Sequence, residues 1–197
     1  MVKDLISQPP GATPLQPDEL EGLRPGHIRT REDLNEWEAR NILKASNWAF
    51  SRRRDVLNEA FIRALHHRMF DDTWEWAGTY RNSDKNIGIP WEQVHQGAVR
   101  NLCDNAKAQL AGGENVDDVA VWVHQQLTYI HPFPNGNGRH ARLVTDLLLK
   151  SHGREQFTWG VSDIARSSEN RARYIASLKA ADKGDYQALS VFVRSKG

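Results

Sequence analysis

Cysteine is almost absent: Cys103 stands alone in 197 residues, which excludes an intrachain disulfide and a thiolate metal cluster. Long apolar runs are missing as well. No stretch of about eighteen apolar residues occurs, the length a membrane-spanning helix needs. The N-terminus lacks the apolar core of a signal peptide, so a cytoplasmic protein with no membrane partner is expected. Charge of one sign is lacking too: 26 basic and 25 acidic residues leave a net +1. That balance gives no reason to expect a nucleic-acid partner, and no helix-turn-helix pattern stands out. Internal repeats and low-complexity tracts are absent. With 39% hydrophobic and 26% charged residues, the composition is that of a globular chain rather than a disordered one.

Five of the eight prolines fall in the first 25 residues (Pro9, Pro10, Pro14, Pro17 and Pro25). Residues 1–29 therefore read as an extended N-terminal arm, and 30–197 as a single helical domain. A helix is expected from Thr30 through Trp37, Ile42 and Leu43 to Trp48, with Glu32 and Asp33 in its first turn. Val56 to Met69 places Leu57, Phe61, Leu65 and Met69 at steps of four, a helical stripe. Trp74 to Trp91 breaks that period with Gly78, Gly88 and Pro90, and a short β-hairpin or flap fits it best. Further helices are expected at Val94–Leu110, Val116–Ile130, through Leu143, Leu147 and Leu148, at Ile164–Ala181 and at Tyr186–Val193. The fold class is mostly α, with one small β element.

Between two of those helices lies the segment with the most chemistry, His131 to Arg142, reading HPFPNGNGRHAR. Glycines let backbone N–H groups approach a phosphate, and a helix that begins just after them turns its positive end the same way. Arg139 and Arg142, three apart, share a helix face and can fork onto phosphate oxygens. His131 is placed to take a proton from a nucleophile. A Walker-type loop does not fit, because Gly138-Arg139 stands where Gly-Lys-Ser or Gly-Lys-Thr belongs and the preceding segment reads as helix. Other histidines carry no assigned role: His124 and His140 read as structural or exposed, and His66 and His67 point to different helix faces and form no metal site alone. Arg52 to Arg54 reads as a solvated helix end. The tryptophans read as core, with Trp74 and Trp76 bracing the flap.

The whole string resembles the motif of the Fic family, His-x-Phe-x-(Asp/Glu)-Gly-Asn-(Gly/Lys)-Arg-x-x-Arg, at His131, Phe133, Gly136, Asn137, Gly138, Arg139 and Arg142. Trp76-Ala77-Gly78 before Tyr80-Arg81, and the tail YIASLKAADKGDYQALSVF, extend the resemblance, which is closest to a small bacterial subfamily. It implies a Fic-type helical bundle with a β-hairpin flap, and transfer of AMP from ATP to a Ser, Thr or Tyr hydroxyl of a target protein. His131 would be the general base and Phe133 the buried anchor of the loop. Gly136, Asn137 and Gly138 would hold phosphates through backbone N–H groups and an amide side chain. Arg139 and Arg142 would neutralise the β- and γ-phosphates. Lys85, Asn86, Ile87 and Gly88 fall in the target-docking flap, and Asn170 and Tyr174 where the adenine pocket draws residues.

Two departures from the motif stand out. Asn135 occupies the position of the family's acidic Mg²⁺ ligand, and a neutral amide oxygen should hold that ion more weakly. The family's self-inhibitory pattern, (Ser/Thr)-x-x-x-Glu-(Gly/Asn), is missing, which implies restraint by a separate small antitoxin-like protein, or none. The resemblance also implies that Gly138, where the Doc branch has Lys, favours AMP transfer over phosphotransfer. A catalytically weak nucleotide- or partner-binding module and a Doc-type phosphotransferase are the alternatives.

Overall fold

Thr30 caps the first long helix with a reciprocal box: its hydroxyl accepts from the Asp33 N–H at 3.1 Å, and the Asp33 carboxylate accepts from the Thr30 N–H at 3.0 Å. Two orphan donors of the first turn are thereby satisfied. In the computed structural model, which describes residues 14–160 and 168–195, that helix is α2, Arg31–Phe50. A one-turn α1, Pro17–Glu21, precedes it. Then come α3 (Glu59–Phe70), α4 (Val99–Ala111), α5 (Val116–Ile130), α6 (Asn137–Ser151), α7 (Ser168–Ala181) and α8 (Gln187–Arg194). Asn58 caps α3 by accepting from Ala60 and Phe61, and Asn115 caps α5 by accepting from Asp117.

The central unit is the antiparallel pair α5–α6, joined by the glycine-rich loop. The α2–α3 pair packs on one side of α6, α4 lies against α5, and the α7–α8 pair closes the other side. Val119, Val123, Leu127, Ala141, Val144 and Leu148, all buried, form the seam between the two central helices. The loop is thus held between the two outer pairs, and its geometry is set by a rigid frame.

Three expectations are corrected. The flap contains no β-hairpin: residues 81–90 are bends and irregular backbone, and among the described residues the β contact is an isolated antiparallel bridge between Leu23 and Trp74. Strand alternation was never present there, and Arg81 supplies the cross-links that a ladder would otherwise make. Residues 14–28 are not simply extended, since they include α1 and bury Leu15 and Ile28; residues 1–13 of the expected arm lie outside the described residues. The helix expected at Val94–Leu110 instead opens with a turn at Trp91–Gln93, widens into a π-helical segment at Val94–Ala98, and continues as α4. Gly97, at φ +103°, breaks the regular helix. The start expected at Ile164 also lies outside the described residues.

Candidate active site

Helix α5 ends where His131 turns into the left-handed region, φ 53° and ψ 59°. The turn is fixed from both sides: the His131 N–H donates to Leu127 O at 3.1 Å, and its carbonyl accepts from Arg81 Nε at 2.7 Å. The side chain is 5% exposed. Nδ1 lies 3.4 Å from the Thr128 carbonyl. A carbonyl only accepts, so the proton belongs on Nδ1 and the basic lone pair on Nε2. Burial holds the imidazole down to about 4; the Thr128 carbonyl pulls the other way, and the charges of Arg81 and Lys85 add to the depression. At neutral pH His131 is an uncharged base.

The next residues are stapled. Phe133 is fully buried and stacks on His66, ring centroids 3.7 Å apart. The Phe133 N–H donates to Asn137 Oδ1 at 2.9 Å, and Asn137 Nδ2 donates back to Phe133 O at 2.8 Å. The expected grip of the Asn137 amide on phosphate therefore needs correction, because this buried side chain is committed to closing the loop. What Asn137 offers an anion is its backbone. His66 is the second staple. Gly78 N–H donates to its Nδ1 at 3.0 Å, which puts the proton on Nε2, and Nε2 donates to Asn135 O at 3.1 Å. Burial keeps His66 well below the ordinary range, so it is a neutral two-way linker. His140, beside Phe133, donates from Nε2 to Ile62 O at 2.9 Å.

Gly136 sits at φ +80°, and a Cβ there would lie 2.5 Å from the Phe70 ring. It is the N-cap of α6 and offers no capping side chain. The N–H groups of Asn137, Gly138 and Arg139 thus have no carbonyl partner within their helix and point out of its positive end. A Cβ on Gly138 would meet nothing nearer than the Arg142 guanidinium at 4.0 Å. Asn135 turns its Oδ1 back to accept the Gly136 N–H at 2.7 Å.

Arg139 and Arg142 are held by different neighbours. Arg139 pairs with Glu38 at 2.6 Å, and the same buried carboxylate accepts from Trp74 Nε1 at 2.7 Å. Arg142 lies over the Tyr174 ring, 5.9 Å from its centroid. Tyr174, buried, shares its hydroxyl with His124 Nε2 at 2.8 Å. Burial takes His124 down to about 3, with the Arg142 charge adding to the effect. Tyr174 thus adjoins the loop's second arginine, whereas Asn170 packs under Gly160, where a Cβ would approach its amide at 2.7 Å.

Of the flap residues, Gly88 (φ +105°) lies against the histidine: a Cβ there would be 2.8 Å from His131 Cβ. Lys85 is drawn to the other side, into an ion pair with Glu19 of α1 at 2.5 and 2.6 Å. Asn86 and Ile87 face solvent. Trp74 and Trp76 stack with centroids 5.0 Å apart, and Trp76 Nε1 donates at 3.0 Å to the carbonyl of Glu19, the residue that also pairs with Lys85. Sequence reasoning missed Glu38, His66 and Glu19. Each comes from a distant element, and none lies in a recognisable motif.

A buried neutral base, a stapled loop, a helix N-terminus and two arginines thus fall within twelve residues, an arrangement that can hold an anion beside a base. Comparison with known proteins narrows it. Residues 56–149 match the Fic/DOC family. A "Probable protein adenylyltransferase" of Aquifex aeolicus is 27% identical over 154 residues, 74% of this chain and 43% of that protein. Another of that description, from Sinorhizobium fredii, is 28% identical over 157 residues, 73% of this chain and 78% of its own length. The chain thus spans less than half of the first relative. Among solved structures, the N-terminal Fic domain of a VirB-translocated Bep effector from Bartonella quintana superposes with TM-score 0.68 at 18% identity, covering 89% of this chain and 91% of that one. Bartonella tribocorum BepC with bound AMPPNP gives 0.66 at 19% identity, covering 91% and 97%. These likenesses establish the fold.

Proposed function

We propose that the chain is a protein adenylyltransferase, moving AMP from ATP to a hydroxyl side chain of a target protein. The observation that carries the reading is the pairing of the buried, neutral His131 with the N-terminus of α6 across one stapled loop. Family relatives named adenylyltransferases and a Fic-domain structure with bound AMPPNP support it. In this reading His131 Nε2 takes the proton of a Ser, Thr or Tyr hydroxyl. That oxygen bonds to the α-phosphorus, the bond from the α-phosphorus to the bridging oxygen breaks, and pyrophosphate leaves. The N–H groups at the start of α6 face the phosphate oxygens, and Arg139 and Arg142 neutralise the β- and γ-phosphates. Phe133 anchors the loop, Asn170 and Tyr174 flank the adenine, and residues 85–88 receive the target chain.

Magnesium would enter with ATP. Asn135 Oδ1 fits it only loosely: it is neutral and already accepts the Gly136 N–H. No cluster of three acidic, histidine or cysteine ligands occurs among the described residues. The ion would be held mainly by phosphate oxygens, where it offsets their charge. Asn135→Asp is expected to lower the Mg²⁺ concentration needed for half-maximal rate. An unchanged requirement and unchanged turnover would refute the role of this position. The restraint expected from a small antitoxin-like protein, and a cytoplasmic location, belong to the same proposal. No helix of the described residues is long and apolar enough to cross a membrane.

Incubation with [α-³²P]ATP or [γ-³²P]ATP and cell lysate tests the reading. Protein label from the α-phosphate alone, lost in His131→Ala, is the expected result. Label from the γ-phosphate would mean a Doc-type phosphotransferase. The neutral, engaged Asn135 favours one competing reading, a weak nucleotide-binding module, and absence of label from either position would establish it.

A further inference from the structure

Arg81 is one of the largest fully buried side chains of the molecule, and its hydrogen bonds run to two segments at once. Toward the end of α5, Nε donates to His131 O at 2.7 Å and Nη2 to Ile130 O at 3.4 Å, while the Arg81 N–H donates to Pro132 O at 3.0 Å. Three consecutive carbonyls around the base thus rest on one residue. Toward the flap, Nη1 donates to Ser83 O at 2.9 Å and Nη2 donates to Ile89 O. The carbonyl of Arg81 accepts from His95 Nε2 at 3.1 Å, tying the hub to the π-helical segment. The exposed Asp84 carboxylate stands 3.6 Å from Nη1. Gly88 completes the arrangement, because a Cβ there would press on both His131 Cβ and Arg81 Nη2, at 2.8 and 2.9 Å.

From this geometry we infer that Arg81 is a positioning residue: its guanidinium fixes the register between the flap that receives the target chain and the backbone that aims His131. The inference rests on the adenylyltransferase reading. A guanidinium suits the task because its five donors lie in one rigid plane. They can hold carbonyls of both segments at fixed separations. A lysine ammonium keeps the charge but has three donors on a flexible stem, and cannot span both sets. The left-handed backbone of His131 depends on such support, since a non-glycine residue leaves that region readily. A displacement of the base by about 1 Å is enough to lower transfer roughly 100-fold.

Arg81→Lys tests the role. With [α-³²P]ATP and lysate proteins as acceptors, the initial rate is expected to fall roughly 10- to 100-fold. Affinity for AMPPNP, measured by calorimetry, should stay as in the wild type, because nucleotide meets the α6 end of the loop. Hydrogen exchange should rise together in residues 82–90 and 128–134 and nowhere else. A cycle with Gly88→Ala should be non-additive, since both substitutions disturb the same contact. Parallel loss of activity, AMPPNP affinity and thermal stability would mean a merely structural residue and overturn the inference. Wild-type activity in Arg81→Lys would overturn it as well. Absence of α-label in the wild type is a distinct outcome: it removes the transfer reading, and the positioning role falls with it.

Discussion

Gly136 carries two constraints that no other side chain can meet together. Its φ of +80° lies in the left-handed region, and its missing Cβ leaves room for the Phe70 ring at 2.5 Å. Gly136→Ala should therefore destabilise the fold by about 2 kcal/mol or more, adding steric displacement to backbone strain. Urea unfolding measures it, and a loss below about 0.5 kcal/mol, typical of a neutral surface change, would contradict it. His131 was legible from its place in the motif, but its neutral state was not. That state follows from burial beneath the flap and the nearby charges of Arg81 and Lys85, which only the folded chain brings together. Likewise Asn137 could be singled out from sequence, while its use as a staple required seeing Phe133 fold back onto it.

At the scale of elements, the helices with apolar stripes were readable. The stripe from Val119 to Ile130 defines α5 with the expected bounds. The flap was not readable, because its conformation is written in Arg81's bonds to carbonyls rather than in any residue pattern. Nor was the hold that α2 exerts on α6, since Glu38 and Arg139 are 101 residues apart. Glu38 is nearly fully buried and also serves Trp74, so it competes with any phosphate for Arg139. Glu38→Gln keeps the bond to Trp74 and removes the negative charge. It is expected to tighten ATP binding several-fold, as one charge-assisted bond no longer opposes it. Calorimetric titration of ATP gives the answer, and weaker binding would show that Glu38 orients the arginine instead.

For the molecule as a whole, acid should be the decisive stress. Burial holds His131 and His140 at about 4 and His124 at about 3, and His66 well below its ordinary range. The unfolded chain takes up these protons near pH 6.5, while the folded chain refuses them until much lower pH. Stability is thus complete above pH 7 and is lost as pH falls from about 6.5 toward 4. Asp146, raised to about 6 by burial, works the other way and offsets about one histidine. Near pH 5 the unfolded chain therefore binds a net excess of protons, and stability falls steeply as the pH drops. Circular dichroism should show cooperative unfolding near pH 5, with transfer activity level from pH 8 to 6. Stability unchanged between pH 7 and 4.5 would contradict this account.

Apart from Asn137, which folds back from within the loop, the staples on it share a direction along the chain. Glu38, His66, Phe70, Gly78 and Arg81 all precede His131 in the sequence. As synthesis proceeds from the N-terminus, every one of these contacts has left the ribosome before the loop does. The loop emerges to a mould already made, and its strained histidine need never be held by the nascent loop alone.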